Sequence, residues 1–310
     1  HKTATGSSKS SFSCMLDDKL PFTKRIFQTA TERCYKKSSA NKTIEQEEKT
    51  LVCMNNESVY GKTAYQLNLS SAVELGILTD YKIITPLVSC SITKEEIRKN
   101  KWVTMNDMRL PSQLVASAFI LTTVIKSGQY PCRRLLTYHN SVKEARQYKK
   151  LLHFLFEKLE ITGHVLTLDG GMTPKKRKKI VRTFSDSPGV SIITSARVLN
   201  EGVNIPCIDG VVFVSPSKST IDIVQRVGRA LRIFDGKKCA YVFIPVELTD
   251  DDEKSITDKE KSAPGWSKCW DIFRAMSGTD SRIIQWFREI QTGCTSNDKH
   301  VYEIPDVCST

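Results

Sequence analysis

The sequence predicts an α/β protein, an open parallel sheet with helices on both faces and a small α-helical extension at the carboxyl end. Short branched or aromatic apolar runs recur at Tyr81 to Val88, Leu135 to Tyr138, Val165 to Leu168, Val190 to Thr194, Val211 to Val214 and Tyr241 to Pro245, as buried parallel strands do. Helical patterns separate most of these runs, and strict alternation of strand and helix puts functional loops at the strand carboxyl ends. The chain has 310 residues, 40% apolar and 26% charged, which suffices for one large or two moderate cores.

Taken in order, Tyr60 to Leu69 reads as a strand and Ser71 to Leu78 as a helix. The polar stretch from Thr93 to Met108, with Lys94 to Lys101 at its centre, reads as a helical insertion. Val142 to Leu159 places Ala145, Tyr148, Leu152, Leu155 and Leu159 on one side of a helix. Thr173 and Pro174 are suited to the N-cap and first turn of the next helix, whose Ile180, Val181 and Phe184 turn inward. That leaves Lys175, Lys176, Arg177, Lys178, Lys179 and Arg182 outside, a run compatible with phosphate contacts, a nuclear address or a plain solvated face. A further helix follows Ile221, packing through Val224, Val227 and Leu231. The acidic run Asp250 to Glu253 reads as a linker, and Trp270, Ile272, Phe273, Met276, Ile283, Ile284, Trp286 and Phe287 as accessory helices. Trp266, Trp270 and Trp286 have two uses open to them, stacking on bases and packing on the domain, and packing is the commoner use of an aromatic on a helix.

The most informative residues are Gln225, Arg229 and Arg232. At i, i+4 and i+7 they form one polar row on a helix. Guanidinium is a planar, permanently charged fork that fits phosphate oxygens, so two forks beside an amide can neutralise charge on a phosphoryl group in transit. Gly228 keeps bulk away from the row at a cost of about 1 kcal/mol in helix propensity. The alternative is a solvated basic helix.

Resemblance sharpens this. Residues 222–232, DIVQRVGRALR, resemble motif VI of superfamily 2 helicases, in particular the DExH-type branch that includes restriction-enzyme translocases and viral or plasmid helicases. Residues 192–206, IITSARVLNEGVNIP, resemble motif V. Residues 134–141, RLLTYHNS, resemble motif IV, and residues 164–171, HVLTLDGG, followed by Arg177, resemble the next element. Residues 27–31, FQTAT, resemble motif III, with Glu32 where a proline usually stands. The opening His1-Lys2 resembles the end of an Asp-Glu-x-His box, a tag remnant being the rival explanation of His1.

The resemblance implies a RecA-like fold and a division of the chain: residues 1–79 as the tail of a first RecA-like domain, 80–246 as the complete second domain, 247–310 as linker and accessory helices. It implies an ATP-dependent helicase or translocase, DNA-acting more than RNA-acting, with ATP and Mg2+ as cofactors. Gln225, Arg229 and Arg232 would complete the ATP site in trans, and Glu201, Gly202, Asn204 and His1 would touch the nucleotide. Thr194, Ser141, Gly170, Gly171 and Arg177 would hold the strand's backbone, and Thr29 and Thr31 would couple hydrolysis to movement. Implied partners are nucleic acid, the first RecA-like domain of the same polypeptide, and fused or associated nuclease, methyltransferase or replication proteins. No G-x-x-x-x-G-K-[ST] loop is present: Gly61-Lys62-Thr63 lacks the first glycine, Asn56 standing in its place. The Asp-Glu pair is also lacking, so this chain alone is expected to be inactive. The competing class is a non-catalytic RecA-like binding module or the motor remnant of a larger complex.

Composition agrees. A net charge of +12 and a pI near 9.2 suit a polyanionic partner. The 10 cysteines are scattered without a C-x-x-C, which argues for free thiols, a reducing compartment such as cytoplasm or nucleus, and no metal site. No apolar run is long enough for a membrane span or a secretion signal, so a soluble protein is expected.

Overall fold

The computed structural model describes residues 24–29, 54, 56–88, 102–105, 108–196, 204–215, 217, 219–247, 267–292 and 302–303. The chain divides into two compact units, His1–Leu67 and Asn68–Thr310.

In the first unit, Asn56 caps the short helix α1 (Glu57–Tyr60) by accepting from the Ser58 amide, and Phe27 meets Tyr60 edge-on at 4.8 Å. The strand expected from Tyr60 is absent here. Gly61 takes φ 75°, which ends the turn, and Tyr65 is 75% exposed with no apolar face to cover it. Thr29 lies in irregular chain; Thr31 and His1 lie outside the described residues.

The second unit contains α2 (Leu69–Glu74), β1 (Tyr81–Ile84), β2 (Leu87–Val88), β3 (Trp102–Met105), β4 (Met108–Pro111), α3 (Ser112–Ser127), β5 (Arg134–His139), α4 (Val142–Lys158), β6 (Gly163–Leu168), α5 (Pro174–Asp186), β7 (Val190–Ala196), β8 (Gly210–Phe213), α6 (Thr220–Ala230), β9 (Ala240–Phe243), β10 (Val246–Glu247), α7 (Ser267–Ser277), α8 (Ser281–Thr292) and β11 (Tyr302–Glu303). Seven strands form one parallel sheet in the order β11-β1-β9-β8-β5-β7-β6. Helices cover both faces. Leu136, Ile193, Val211 and Val242 point to one side, against Phe184 of α5, Val227 of α6 and Ile272 and Met276 of α7. Leu135, Ile192, Val212 and Phe243 point to the other, against Leu121 of α3 and Tyr148 and Leu152 of α4. This is the open parallel α/β architecture that the alternating pattern predicts, and the RecA-like fold that the resemblance implies.

One expected strand, Tyr81 to Val88, is split at Pro86, and another, Tyr241 to Pro245, ends short of its proline. Pro86 and Pro245 lack an amide hydrogen and so cannot donate to a sheet ladder. The chain therefore leaves the main sheet after Ile84 and Phe243 and re-pairs as β2 with β10, Val246 donating to the Pro86 carbonyl. Residues 94–101, expected as a helical insertion, lie outside the described residues, and the antiparallel hairpin β3–β4 comes directly after them.

The boundary between the two compact units falls between Leu67 and Asn68. The Leu69 amide donates to Thr279 O and the Thr79 amide to Leu231 O, so residues 68–79 pack with the second unit. At the other end Ile272, Phe273, Met276 and Ile283 are core residues, and β11 extends the sheet beside β1. Trp286 stacks on Phe273 and meets Tyr302 edge-on, so packing is its use. Among the described residues no helix is long and apolar enough to cross a membrane.

Candidate functional site

Three strand ends define a cleft of about 700 Å³ lined by Asn140, Ser141, Val142, Arg146, Asp169, Gly170, Gly171, Arg177 and Ala196. After β5 the chain turns at Asn140, and Ser141 caps α4 by accepting from the Glu144 amide at 3.1 Å. After β6 the buried Asp169 organises the loop, accepting from Arg146 Nη2 at 2.9 Å and from the Gly171 amide at 3.1 Å. Arg177, one turn into α5, donates to Gly170 O at 2.6 Å. Two helix starts and two guanidinium groups thus border one open space, an arrangement that attracts an anion. A Cβ on Gly171 would meet no atom but Asp169 Oδ1, at 3.5 Å. Glycine there leaves the backbone open to a ligand rather than relieving an internal clash.

Of the five residues expected on a nucleic-acid backbone, Ser141, Gly170, Gly171 and Arg177 meet in this cleft. Thr194 does not. It lies inside β7, fully buried, with Oγ1 2.9 Å from Thr167 Oγ1. Register is the reason: Thr137, Thr194 and Thr167 stand side by side across β5, β7 and β6, and β7 runs on to Ala196, which is the residue that reaches the cleft.

Beneath the cleft is a buried polar cluster. Thr137 Oγ1 lies 2.8 Å from His139 Nε2, His139 Nδ1 stands 3.8 Å from Glu144 Oε1, and Ser215 donates to the same carboxylate. Burial holds the His139 ring below its ordinary value, against the pull of Glu144. Burial works to raise Glu144, but contact with His139 and the Ser215 hydroxyl outweighs it and keeps the carboxylate charged. Glu144 also accepts from the Asn140 amide at 3.2 Å, so one side chain joins the cleft to the segment that leads into α6.

Helix α6 begins at Ser219, whose hydroxyl accepts from the Asp222 amide, and its apolar face is as expected: Val227 and Leu231 are fully buried and Val224 nearly so. Gln225 is half-buried and Arg229 buried. The helix ends at Ala230, so Arg232 lies beyond it and not in a continuous helical row. There its guanidinium donates to the side-chain oxygen of Asn204, bringing together two residues from separate motifs. Arg226, which falls outside the i, i+4, i+7 row, is also buried, its guanidinium 4.8 Å from the Tyr138 ring. Burial pushes the Tyr138 hydroxyl well above the ordinary tyrosine range, against the pull of Arg229, Arg226 and Arg232. Burial also lowers Arg229, Tyr138 opposing and Arg232 adding to it. Guanidinium remains charged at neutral pH despite this. Closely held like charges of this kind are relieved by an anion placed between them. Nothing lies within 4 Å of a Cβ built on Gly228, so internal packing does not require glycine there. Glu201 and Gly202 lie outside the described residues.

Arg146, which anchors the loop through Asp169, carries no sequence signal of its own, since their partnership joins α4 to the end of β6. The family model for the helicase conserved C-terminal domain matches residues 119–234. A protein of African swine fever virus named "Probable helicase" is 24% identical over 227 residues, 72% of this chain and 23% of the viral protein. Among solved structures, the ATP-dependent Type ISP restriction-modification enzyme LlaBIII bound to DNA superposes with a TM-score of 0.72 at 22% identity, over 98% of this chain and 21% of that one. A nuclease-deletion mutant of the Type ISP enzyme LlaGI in complex with a DNA substrate mimic superposes with 0.54 at 19% identity, over 98% and 18%. The chain thus spans about a quarter or less of the length of these relatives. Residues 119–234 thus match a helicase conserved C-terminal domain, carried on the parallel RecA-like sheet and its helices, and the chain is similar over most of its length to helicase relatives.

Proposed function

We propose that this chain is the second-domain part of an ATP-driven motor that moves along a nucleic-acid strand, DNA rather than RNA. The observation that carries the reading is the meeting of Ser141, Gly170, Gly171 and Arg177 in one open cleft, with the arginines of α6 gathered on the same domain. Helix starts, exposed glycine backbone and guanidinium groups suit phosphate oxygens and read no base, so binding is sequence-tolerant and weakens steeply with salt. The preference for DNA rests on the DNA-bound restriction enzymes that share the fold, and by the same analogy the intact protein carries or recruits a nuclease or methyltransferase.

The arginine helix fits a terminal phosphate. Burial lowers Arg229 and the charge of Arg232 adds to this, a setting that favours a bound anion, and Gln225 stands on the same helix as Arg229. Cleavage of bound ATP would supply the free energy for movement. Arg229 and Arg232 would neutralise charge on the transferred phosphoryl group, and Asn204 would orient Arg232 toward it. Glu201 and Gly202, from the adjacent motif, would report the nucleotide state to the strand site, and Thr29 and Thr31 would do so from the first domain. By the helicase resemblance, Mg2+ would be held by the first domain.

In the full-length protein, Arg232→Ala should lower nucleic-acid-stimulated ATP hydrolysis by about three to five decades while strand affinity stays within twofold (roughly 0.4 kcal/mol). Undiminished turnover would overturn the arginine assignment.

A further inference from the structure

Lys237 is a cation held entirely by backbone carbonyls, and it belongs to none of the helicase motifs. Its ammonium donates to Ala230 O at 2.8 Å, Ile208 O at 3.0 Å and Pro206 O at 3.2 Å. An ammonium has three N–H bonds, and all three are engaged. Each acceptor is a backbone group that lacks a secondary-structure partner for a local reason. Ala230 closes α6, and the last carbonyls of a helix have no intrahelical donor. Pro206 and Ile208 lie in the irregular chain between β7 and β8, directly after the Asn204 that holds Arg232.

The sequence builds this contact with a tight reversal. Phe234 to Lys237 forms a turn in which the Lys237 amide donates to Phe234 O at 3.1 Å, and Gly236 takes φ 75°, a conformation that favours glycine. The reversal sends the lysine stem back under the end of α6. Burial lowers Lys237, with Asp209 and Cys207 pulling upward and Arg232 adding to the lowering. A cation is thus kept beside Arg232 at an electrostatic cost, which its three backbone bonds offset.

We propose that Lys237 is a positioning residue that locks the turn after Asn204 to the carboxyl end of the arginine helix, and so sets where Arg232 and Arg229 stand. Two cations then make the same junction at two levels: Arg232 joins side chain to side chain, and Lys237 joins backbone to backbone. A shift of the motif V turn, on binding a strand, is transmitted to the arginines through this junction. The latch follows from the geometry alone, whereas its effect on turnover rests on the motor reading above.

The test uses Lys237→Met, which keeps the stem and removes the donors, and Lys237→Arg, which keeps donors and charge. Amide hydrogen exchange is followed by mass spectrometry on this chain without nucleotide. In Lys237→Met, exchange should accelerate about tenfold in residues 204–208 and 230–234, the effect of losing roughly one buried hydrogen bond, while the distant β6 and α5 keep wild-type protection. Lys237→Arg should recover most of the protection. Wild-type exchange in both segments of the Met variant would overturn the latch, as would a uniform acceleration over the whole domain. In the full-length protein, Lys237→Met should lower kcat about tenfold with KM for ATP and strand affinity unchanged. A fall in affinity with kcat preserved would count against it. If the wild-type protein shows no nucleic-acid-stimulated hydrolysis, the motor reading fails, and the exchange measurement still decides the latch.

Discussion

At the scale of single residues, the difference between Thr194 and Arg177 decides how the strand site works. Both belong to motifs expected on a nucleic-acid backbone, yet one hydroxyl is consumed inside the sheet and the other side chain borders the cleft. Thr194→Val should therefore leave oligonucleotide affinity unchanged in fluorescence anisotropy and destabilise the fold by about 1 kcal/mol, through an unpaired Thr167 hydroxyl. Arg177→Ala should weaken binding and reduce the slope of log affinity against log salt by about 0.7–0.9, one phosphate contact. A larger loss of affinity from the threonine than from the arginine would reverse these roles. The contrast was not legible in the sequence, because the number of residues by which β7 outruns Thr194 depends on its pairing with β5 and β6.

At the scale of elements, the start of α4 serves stability and binding at once. Ser141 accepts from the Glu144 amide and also lines the cleft. Two substitutions separate the roles. Ser141→Ala removes the cap and should cost about 1 kcal/mol of unfolding free energy. Ser141→Asp keeps a good cap, so thermal stability should hold, but it sets a negative charge where phosphate would approach, and oligonucleotide affinity should fall. Equal affinity for wild type and Ser141→Asp would move the strand elsewhere. The helices themselves were readable from local chemistry: Thr173 and Pro174 start α5, with the threonine hydroxyl accepting from Lys176, and the apolar spacing of α4 predicts its buried face. The strands were readable as runs but not as units, since Pro86 splits the run from Tyr81 to Val88 between two sheets and β10 begins only after the run that ends at Pro245.

At the scale of the whole molecule, the carboxyl segment is part of the domain rather than an appendage. Ile272, Phe273, Met276 and Ile283 are buried in the same core as α6, Asp280 accepts from the Tyr81 hydroxyl at 2.8 Å, and Arg282 braces both Asp280 and Asp80. Four apolar side chains at roughly 1.5–3 kcal/mol each rival the entire stability of a typical domain, about 5–15 kcal/mol. A chain ending after Glu247 should therefore lose cooperative thermal unfolding, and retention of the wild-type midpoint would show that α7 and α8 merely rest on the surface. The sequence alone determined the α/β class, the Thr173-Pro174 start of α5, the buried faces of α4 and α6 and the helicase resemblance, because each is written in local spacing and in contiguous motifs. The tertiary structure alone decided which residues share the cleft, that Arg232 meets Asn204, that Lys237 joins three backbone carbonyls, and where the unit ends. Those contacts unite segments far apart along the chain, and their geometry exists only once strand register and helix packing have been set.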